Sequence, residues 1–350
     1  MYVTINTKTM NRDRIRGAFA LFSLGDALGA PHEFWKWNSK TVYTGKLEIE
    51  PYRQRDARRF AAEHREVRQP VGSVTDDTQM TYCLMNSIIE EGEYNRDAVR
   101  LAYARWVATK PIDLGSNTRA VFGRITEKKY IESMTGIQHA VDNGTQQASL
   151  ANGPLMRCLP LALLDDWDTV CRIDTNLSNP YRICRQSVVA YVAVCRALLE
   201  GESINNALAI IADVPFTREV RIAIHQALNS EARDISGKDK GLITHALYCS
   251  MRGLLMLRDG DSHTDVLRWV ITQGTNTGKG DTDTNAAIAG GLLGAYLGFD
   301  AIMSDRVTRN NWRILQATAS QVDHVHLKYV PHDFDNQIDE LIDTLLADID

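Results

Sequence analysis

The run Gly280–Gly298, GDTDTNAAIAGGLLGAYLG, describes a helix that belongs inside a larger helical assembly. From Ala286 to Leu297 it is rich in small residues, and Gly290, Gly291 and Gly294 would each cost an exposed helix roughly 1 kcal/mol relative to alanine. Tight packing in a core offsets that cost. The helix opens on Gly280-Asp281-Thr282-Asp283-Thr284-Asn285, a polar start signal. A second start of the same kind stands far upstream: Gly72–Met80, GSVTDDTQM, leads into a helix whose Met80, Cys83, Leu84 and Ile88 share one face before Gly92 stops it.

Outward from these two segments the chain reads as helix after helix. Residues 12–29 carry an apolar stripe of Ile15, Ala18, Phe19, Phe22 and Leu24 that leads into GDALG, and Pro31 redirects it. Further helical patterns cover 78–91, 95–109, 117–125, 130–142, 154–166, 183–200, 203–212, 217–229, 241–257, 262–273, 284–298, 310–319 and 334–349, with short separators rich in Gly, Pro, Asn or Asp. Alternation around Gly45 predicts a short hairpin within 40–50. Residues 52–69 carry Arg53, Arg55, Arg58, Arg59, Arg65 and Arg68 among acids. They read as a solvated charged loop, or as a lid that meets phosphate or an acidic partner. No fixed repeat emerges, so a solenoid is not expected. The expectation is one compact all-α bundle over residues 1–350.

Composition agrees with a globular protein: of 350 residues 44% are hydrophobic and 24% charged. The net charge of −5 excludes a uniform basic field that would draw the molecule to nucleic acid, so any anion must be held locally. Cys83, Cys158, Cys171, Cys184, Cys195 and Cys249 are scattered without a C-x-x-C pair, as suits reduced core thiols in a cytoplasmic protein. The N-terminal residues lack the apolar core of a signal peptide, and no apolar run reaches membrane-spanning length.

Either acidic cluster alone reads as a helix cap, because Ser, Thr and Asp are favoured caps and acids suit the positive end of a helix. Together they exceed that need. Asp76, Asp77, Asp281 and Asp283 would repel one another unless something positive sat between them. With Thr75 and Thr284 they offer the carboxylate and hydroxyl oxygens that hard divalent cations take. There is no H-E-x-x-H and no Cys/His spacing suited to zinc, so Mg²⁺ or Mn²⁺ is expected.

From about Arg12 to Leu297 the chain resembles the ADP-ribosylglycohydrolase family, through five motifs in order. These are GDALGAPHEF at 25–34, GSVTDDTQM at 72–80, W-x-x-x-x-P-x-D-x-G from Trp106 to Gly115, NGPLMRCLPLAL at 152–163, and the opening stretch itself. The resemblance implies an all-α orthogonal bundle around a binuclear metal centre, hence two divalent cations. It assigns Thr75, Asp76 and Asp77 to the first ligand group and Asp281, Asp283 and Thr284 to the second. Glu33 matches a glutamate that in some members reaches the metals or acts as acid or base. Asp113 matches an aspartate given a catalytic role in the branch that reactivates ADP-ribosylated nitrogenase reductase. Gly115 closes that motif, and Asn152, Gly153, Met156 and Arg157 match the loop that receives ADP-ribose. Two positions depart from the pattern: Ser178-Asn179-Pro180 lacks the histidine of many relatives, and Leu242 replaces an aromatic after Gly241.

The implied reaction is hydrolysis at the anomeric carbon of the distal ribose, through an oxocarbenium-like transition state. The two cations would fix ribose hydroxyls and a water. Asp113 or Glu33 would move the proton that lets a guanidine leave. Backbone N–H groups of a helix beginning near Pro154, with Arg157, would hold the diphosphate. The expected substrate is an ADP-ribosylated protein, modified on arginine, and the product is ADP-ribose. Alternatives are an adduct on serine, on a nucleic-acid base or on a small molecule, and a silent crystallin-like metal- or partner-binding protein.

Overall fold

The computed structural model describes residues 10–33, 45–50, 53–55, 66–123, 126–142, 149–236, 239–275 and 280–346. Two helices set the frame. α1 (Arg12–Gly29) starts where the Asn11 side chain accepts the N–H groups of Asp13 at 2.8 Å and Arg14 at 3.3 Å. From Ala18 to Gly29 every residue is buried. α13 (Thr282–Leu297) lies antiparallel against it, backbone to backbone. A methyl group added at Gly25 would collide with the Ala286 carbonyl, and one at Gly29 with the backbone of Thr282 and Asp283. At the other end, one at Gly294 would collide with the Gly17 carbonyl. Glycine at these positions is therefore what lets the helices touch, and the contact brings the C-terminal end of α1 to the N-terminal end of α13.

The other helices enclose this pair. They are α2 (Asp76–Glu91), α3 (Arg96–Ala108), α4 (Ser116–Phe122), α5 (Glu127–Asp142), α6 (Gly153–Arg157), α7 (Trp167–Asn176), α8 (Arg182–Leu199), α9 (Ile204–Ala212), α10 (Arg218–Leu228), α11 (Ile243–Arg258), α12 (His263–Thr275), α14 (Phe299–Ser304), α15 (Arg306–Ala319) and α16 (Phe334–Leu346). α8, α11 and α12 pack on α13, and the Tyr191 hydroxyl of α8 donates to the Ile288 carbonyl at 3.0 Å. α16 meets α1 through Arg16 and Asp339 at 2.6 Å. The all-α class expected from the sequence is what the chain adopts, and all six cysteines are buried thiols.

Four local expectations change. Residues 46–50 form no strand: Asn311 of α15 accepts the Ile49 N–H at 3.2 Å and donates to the Leu47 carbonyl at 2.8 Å. That side chain takes the backbone groups a strand partner would have taken, and residues 40–44 of the expected hairpin lie outside the described residues. The strand pair lies instead in the charged segment read as loop or lid. There β1 (Arg53–Arg55) runs antiparallel to β2 (Glu66–Arg68), with Gln54 opposite Val67, while residues 56–65 lie outside the described residues. The helix expected over 154–166 breaks at Cys158 into α6 and a 3-10 turn, Leu159–Leu163, with Pro160 in that turn's first residues. α7 and α14 were not expected. The inner face of α7 buries the polar Asp174 and Thr175 beside Val170 and Cys171, which hides its apolar period.

Candidate active site

α2 and α13 bring their N-terminal ends together, and neither is capped by its own first side chain. Thr75 precedes α2 and Asp281 precedes α13, yet neither side chain accepts an N–H of the helix it begins. The cap on α2 comes from another helix: Asp26 of α1 accepts the N–H groups of Thr75 and Thr78, each within 3.1 Å, together with both threonine hydroxyls. At the start of α13, Asp283 Oδ1 accepts the Thr284 N–H at 2.8 Å, and the acids of the two clusters face one another.

They meet closely. The Thr284 hydroxyl reaches Asp77 Oδ2 at 3.3 Å, and the Thr75 hydroxyl lies 3.0 Å from the same oxygen. Carboxylate oxygens of Asp26, Asp77 and Asp283 lie within 4.8 Å of one another, and so do those of Glu33, Asp281 and Asp283. Asp76 stands beside them and accepts the Gly115 N–H at 3.1 Å, which ties the start of α4 to the first cluster. Asn152 donates to Asp281 Oδ2 at 2.9 Å, which ties the loop before α6 to the second. Asp76, Asp77, Asp281 and Asp283 are buried, whereas Glu33 and Asp113 stay partly exposed.

So many acids in one place hold their protons above the usual carboxylate range. Burial raises Asp76 to about 6, with Asp26 and Asp281 adding repulsion. Burial likewise pushes Asp77, Asp113, Asp283 and Glu33 well upward, and each is further raised by neighbouring carboxylates; for Glu33 the nearest in effect is Asp113. His32, beside Glu33 in the chain, is held neutral by burial, with its pKa lowered to about 4.

These residues fit divalent cations. The donors are carboxylate and hydroxyl oxygens, and neither carboxylate group includes a histidine or cysteine. Asp77 Oδ1 is buried and accepts no hydrogen bond. An unpartnered carboxylate oxygen among like charges is costly unless a cation meets it.

The loop expected to receive ADP-ribose is placed differently in its parts. Asn152 stands at the site, and Gly153 follows it half-exposed. Met156 is buried in the core, and its carbonyl accepts the Thr81 hydroxyl of α2 at 3.0 Å. Arg157 is fully buried and turned to Asp174: its Nε donates to Oδ2 at 2.9 Å, and the guanidinium lies over the Tyr103 ring. That cation is paired with Asp174 inside the core. The helix N-terminus expected near Pro154 is also spent, because α6 has five residues and the N–H groups of Leu155 and Met156 bond to the Asn152 carbonyl. The departing Asn179 is buried too, donating to the Ser149 carbonyl at 2.9 Å and accepting from Asn117 at 3.1 Å.

Sequence reasoning passed over Asp26. It sits in GDALGAPHEF, and the available signal was an acid in the largely apolar stretch Gly17–Gly29, which the structure buries.

A model of the ADP-ribosylglycohydrolase family matches residues 7–330. Among curated proteins the chain is 24% identical over 330 residues to the ADP-ribosyl-[dinitrogen reductase] glycohydrolase of Rhodospirillum rubrum, covering 89% of this chain and 95% of that one. It is 25% identical over 334 residues to the protein YegU of Escherichia coli K12, covering 84% and 90%. A solved structure titled as an ADP-ribosylglycohydrolase-related protein complex superposes with a TM-score of 0.59 at 20% identity, over 88% of this chain and 98% of that chain. This last likeness supports the all-α fold.

Proposed function

Since this chain belongs to the ADP-ribosylglycohydrolase family, and is a glycohydrolase that breaks a glycosidic bond of ADP-ribose, we propose that it releases ADP-ribose from arginine side chains of a modified protein. The observation that carries this reading is the meeting of the two acidic clusters beside Glu33 and Asp113. The acceptor reading draws support from the Rhodospirillum rubrum relative, whose name specifies ADP-ribosyl dinitrogen reductase as its substrate.

Thr75, Asp76, Asp77, Asp281, Asp283 and Thr284 would hold the metal, which we take to be two Mg²⁺ or Mn²⁺ ions. What the cations supply there is positive charge for the clustered carboxylates and polarisation of ribose and water oxygens. The chain's own residues do the rest. Glu33 and Asp113 are the partly exposed acids of the group, so they face the side from which substrate arrives. Burial and neighbouring carboxylates raise the pKa of each, which favours its protonated form. Because their mutual repulsion disfavours ionising both, one stays protonated and donates to the leaving guanidine nitrogen, while the other, ionised, takes a proton from the attacking water. Asn152 and Gly115 hold Asp281 and Asp76 in place by hydrogen bonds, and Gly115, Gly153 and the Asn152 loop form the rim on which the rest of ADP-ribose lies.

The test is incubation of the purified chain with arginine-, serine- and base-linked ADP-ribose in Mg²⁺, in Mn²⁺ and in chelator. Release of ADP-ribose from the arginine conjugate, only with metal, is expected. Release from serine or a base alone would move the acceptor. No release from any substrate by metal-loaded protein would favour the silent, crystallin-like reading.

A further inference from the structure

We infer that Asp26 is a positioning residue for the metal centre: it takes the hydroxyl proton of Thr75, so that the Thr75 oxygen faces the Asp77–Asp283 space with lone pairs only. The inference rests on the functional reading above in that it treats this space as a cation site.

The argument is one of proton counting. An ionised carboxylate has about four lone-pair sites. Asp26 receives four donors, namely the N–H and hydroxyl of Thr75 and the N–H and hydroxyl of Thr78. It is saturated by protein, so although it lies within 4.8 Å of Asp77 and Asp283 it has no lone pair left to serve as a ligand itself. Thr75 has one hydroxyl proton and two carboxylates within reach: Asp26 Oδ1 at 2.8 Å and Asp77 Oδ2 at 3.0 Å. Asp26 is the nearer, and it already binds the same residue's N–H, which fixes the geometry of the pair.

With the proton on that side, the Thr75 oxygen and Asp77 Oδ2 confront each other as two acceptors. Asp77 Oδ1 has no partner either. Even with the Thr284 hydroxyl 3.3 Å from Asp77 Oδ2, such a group of acceptors is short of positive charge, which suits a cation. The position of Asp26 also carries register between the two ligand groups. Three residues on, Gly29 is locked against the backbone of Asp283, so one short piece of α1 indexes both α13 and the first turn of α2. Partners behind metal ligands act in this way generally, and their removal weakens metal affinity roughly ten- to a hundredfold.

The test is calorimetric titration of the full chain with Mn²⁺, independent of turnover. Asp26→Asn is expected to lower Mn²⁺ affinity roughly ten- to a hundredfold, to keep the helical circular dichroism seen in chelator, and to regain activity when Mn²⁺ is raised. Thr75→Val should lose affinity similarly and Thr75→Ser should keep it. The double variant Asp26→Asn/Thr75→Val should bind no worse than Thr75→Val alone. Wild-type affinity in Asp26→Asn, or additive losses in the double variant, would overturn the inference. If Asp26→Asn does not fold, the Thr75→Val and Thr75→Ser pair decides: equal affinity in the two overturns it. A wild-type chain that binds Mn²⁺ yet releases no ADP-ribose would defeat the functional reading and leave this calorimetric result standing.

Discussion

The Thr284 hydroxyl donates to Asp77 Oδ2 at 3.3 Å, joining two helix starts that are 207 residues apart in the chain. Each start would otherwise pass for an ordinary capped helix. Their contact converts two local sequence signals into one acidic centre, and its consequences can be measured.

Replacing Asp77 or Asp283 by asparagine should reduce turnover at least a hundredfold and weaken Mn²⁺ binding, because each removes a carboxylate from the shared centre. In chelator the same variants should melt no lower than wild type, since a neutral amide relieves repulsion among buried acids. Thermal melts with chelator and with Mn²⁺ separate the two effects. A large loss of melting temperature in chelator would point to a purely structural carboxylate.

The metal-free protein should lose stability as pH rises from the unfolded carboxylate value near 4 through about 6. Folding raises the pKa of Asp76 to about 6, and raises Asp77, Asp283, Asp113 and Glu33 well above their ordinary values. A raised folded value means the native chain binds protons more tightly than the unfolded one. The stabilisation is therefore complete below the unfolded pKa near 4 and disappears as pH climbs through the folded value. Melting curves in chelator should fall by several degrees across that window, and Mn²⁺ should restore them at the upper end. A flat profile in chelator contradicts this.

Arg157→Ala should act on folding rather than on substrate affinity. It strands Asp174 inside the core, and breaking a buried pair costs about 3–5 kcal/mol. Urea unfolding should show that loss. A stable Arg157→Ala enzyme with only a raised KM would restore the residue to the substrate site.

Gly25→Ala should be destabilising by about 1–3 kcal/mol or more, because its new methyl group meets the Ala286 carbonyl with no flexible side chain to yield. Activity should fall along with stability, as prying α1 from α13 shifts Asp26 and Asp283 together. Gly153→Ala, where an added methyl meets nothing, serves as the comparison in the melting experiment.

Much of this protein was legible in its residues. Small residues at 286–297 announced a buried helix, and an excess of acids over caps announced a charged centre, since both follow from local composition and simple electrostatics. Helix positions followed wherever an apolar stripe recurred. They failed at α7, where Asp174 is buried as the partner of Arg157 and Thr175 is buried with its hydroxyl on the Cys171 carbonyl, and at 154–166, where Pro160 breaks the pattern into shorter turns.

The tertiary structure decided which polar residues work in the site and which work in the core. Arg157 and Asn152 are five residues apart in one motif. The fold turns the first inward to Asp174 and the second outward to Asp281, because α6 is a single turn with opposite faces on the core and on the cluster. Asp26 gained its place in the same way. Nothing in its own neighbourhood of the chain shows that Thr75 and Thr78, at the start of α2, will saturate it; that depends on α1 and α13 meeting glycine to glycine and bringing α2 alongside. Sequence determines which groups are present and which segments coil, because those are short-range properties. Pairings across hundreds of residues depend on packing, and only the folded chain expresses them.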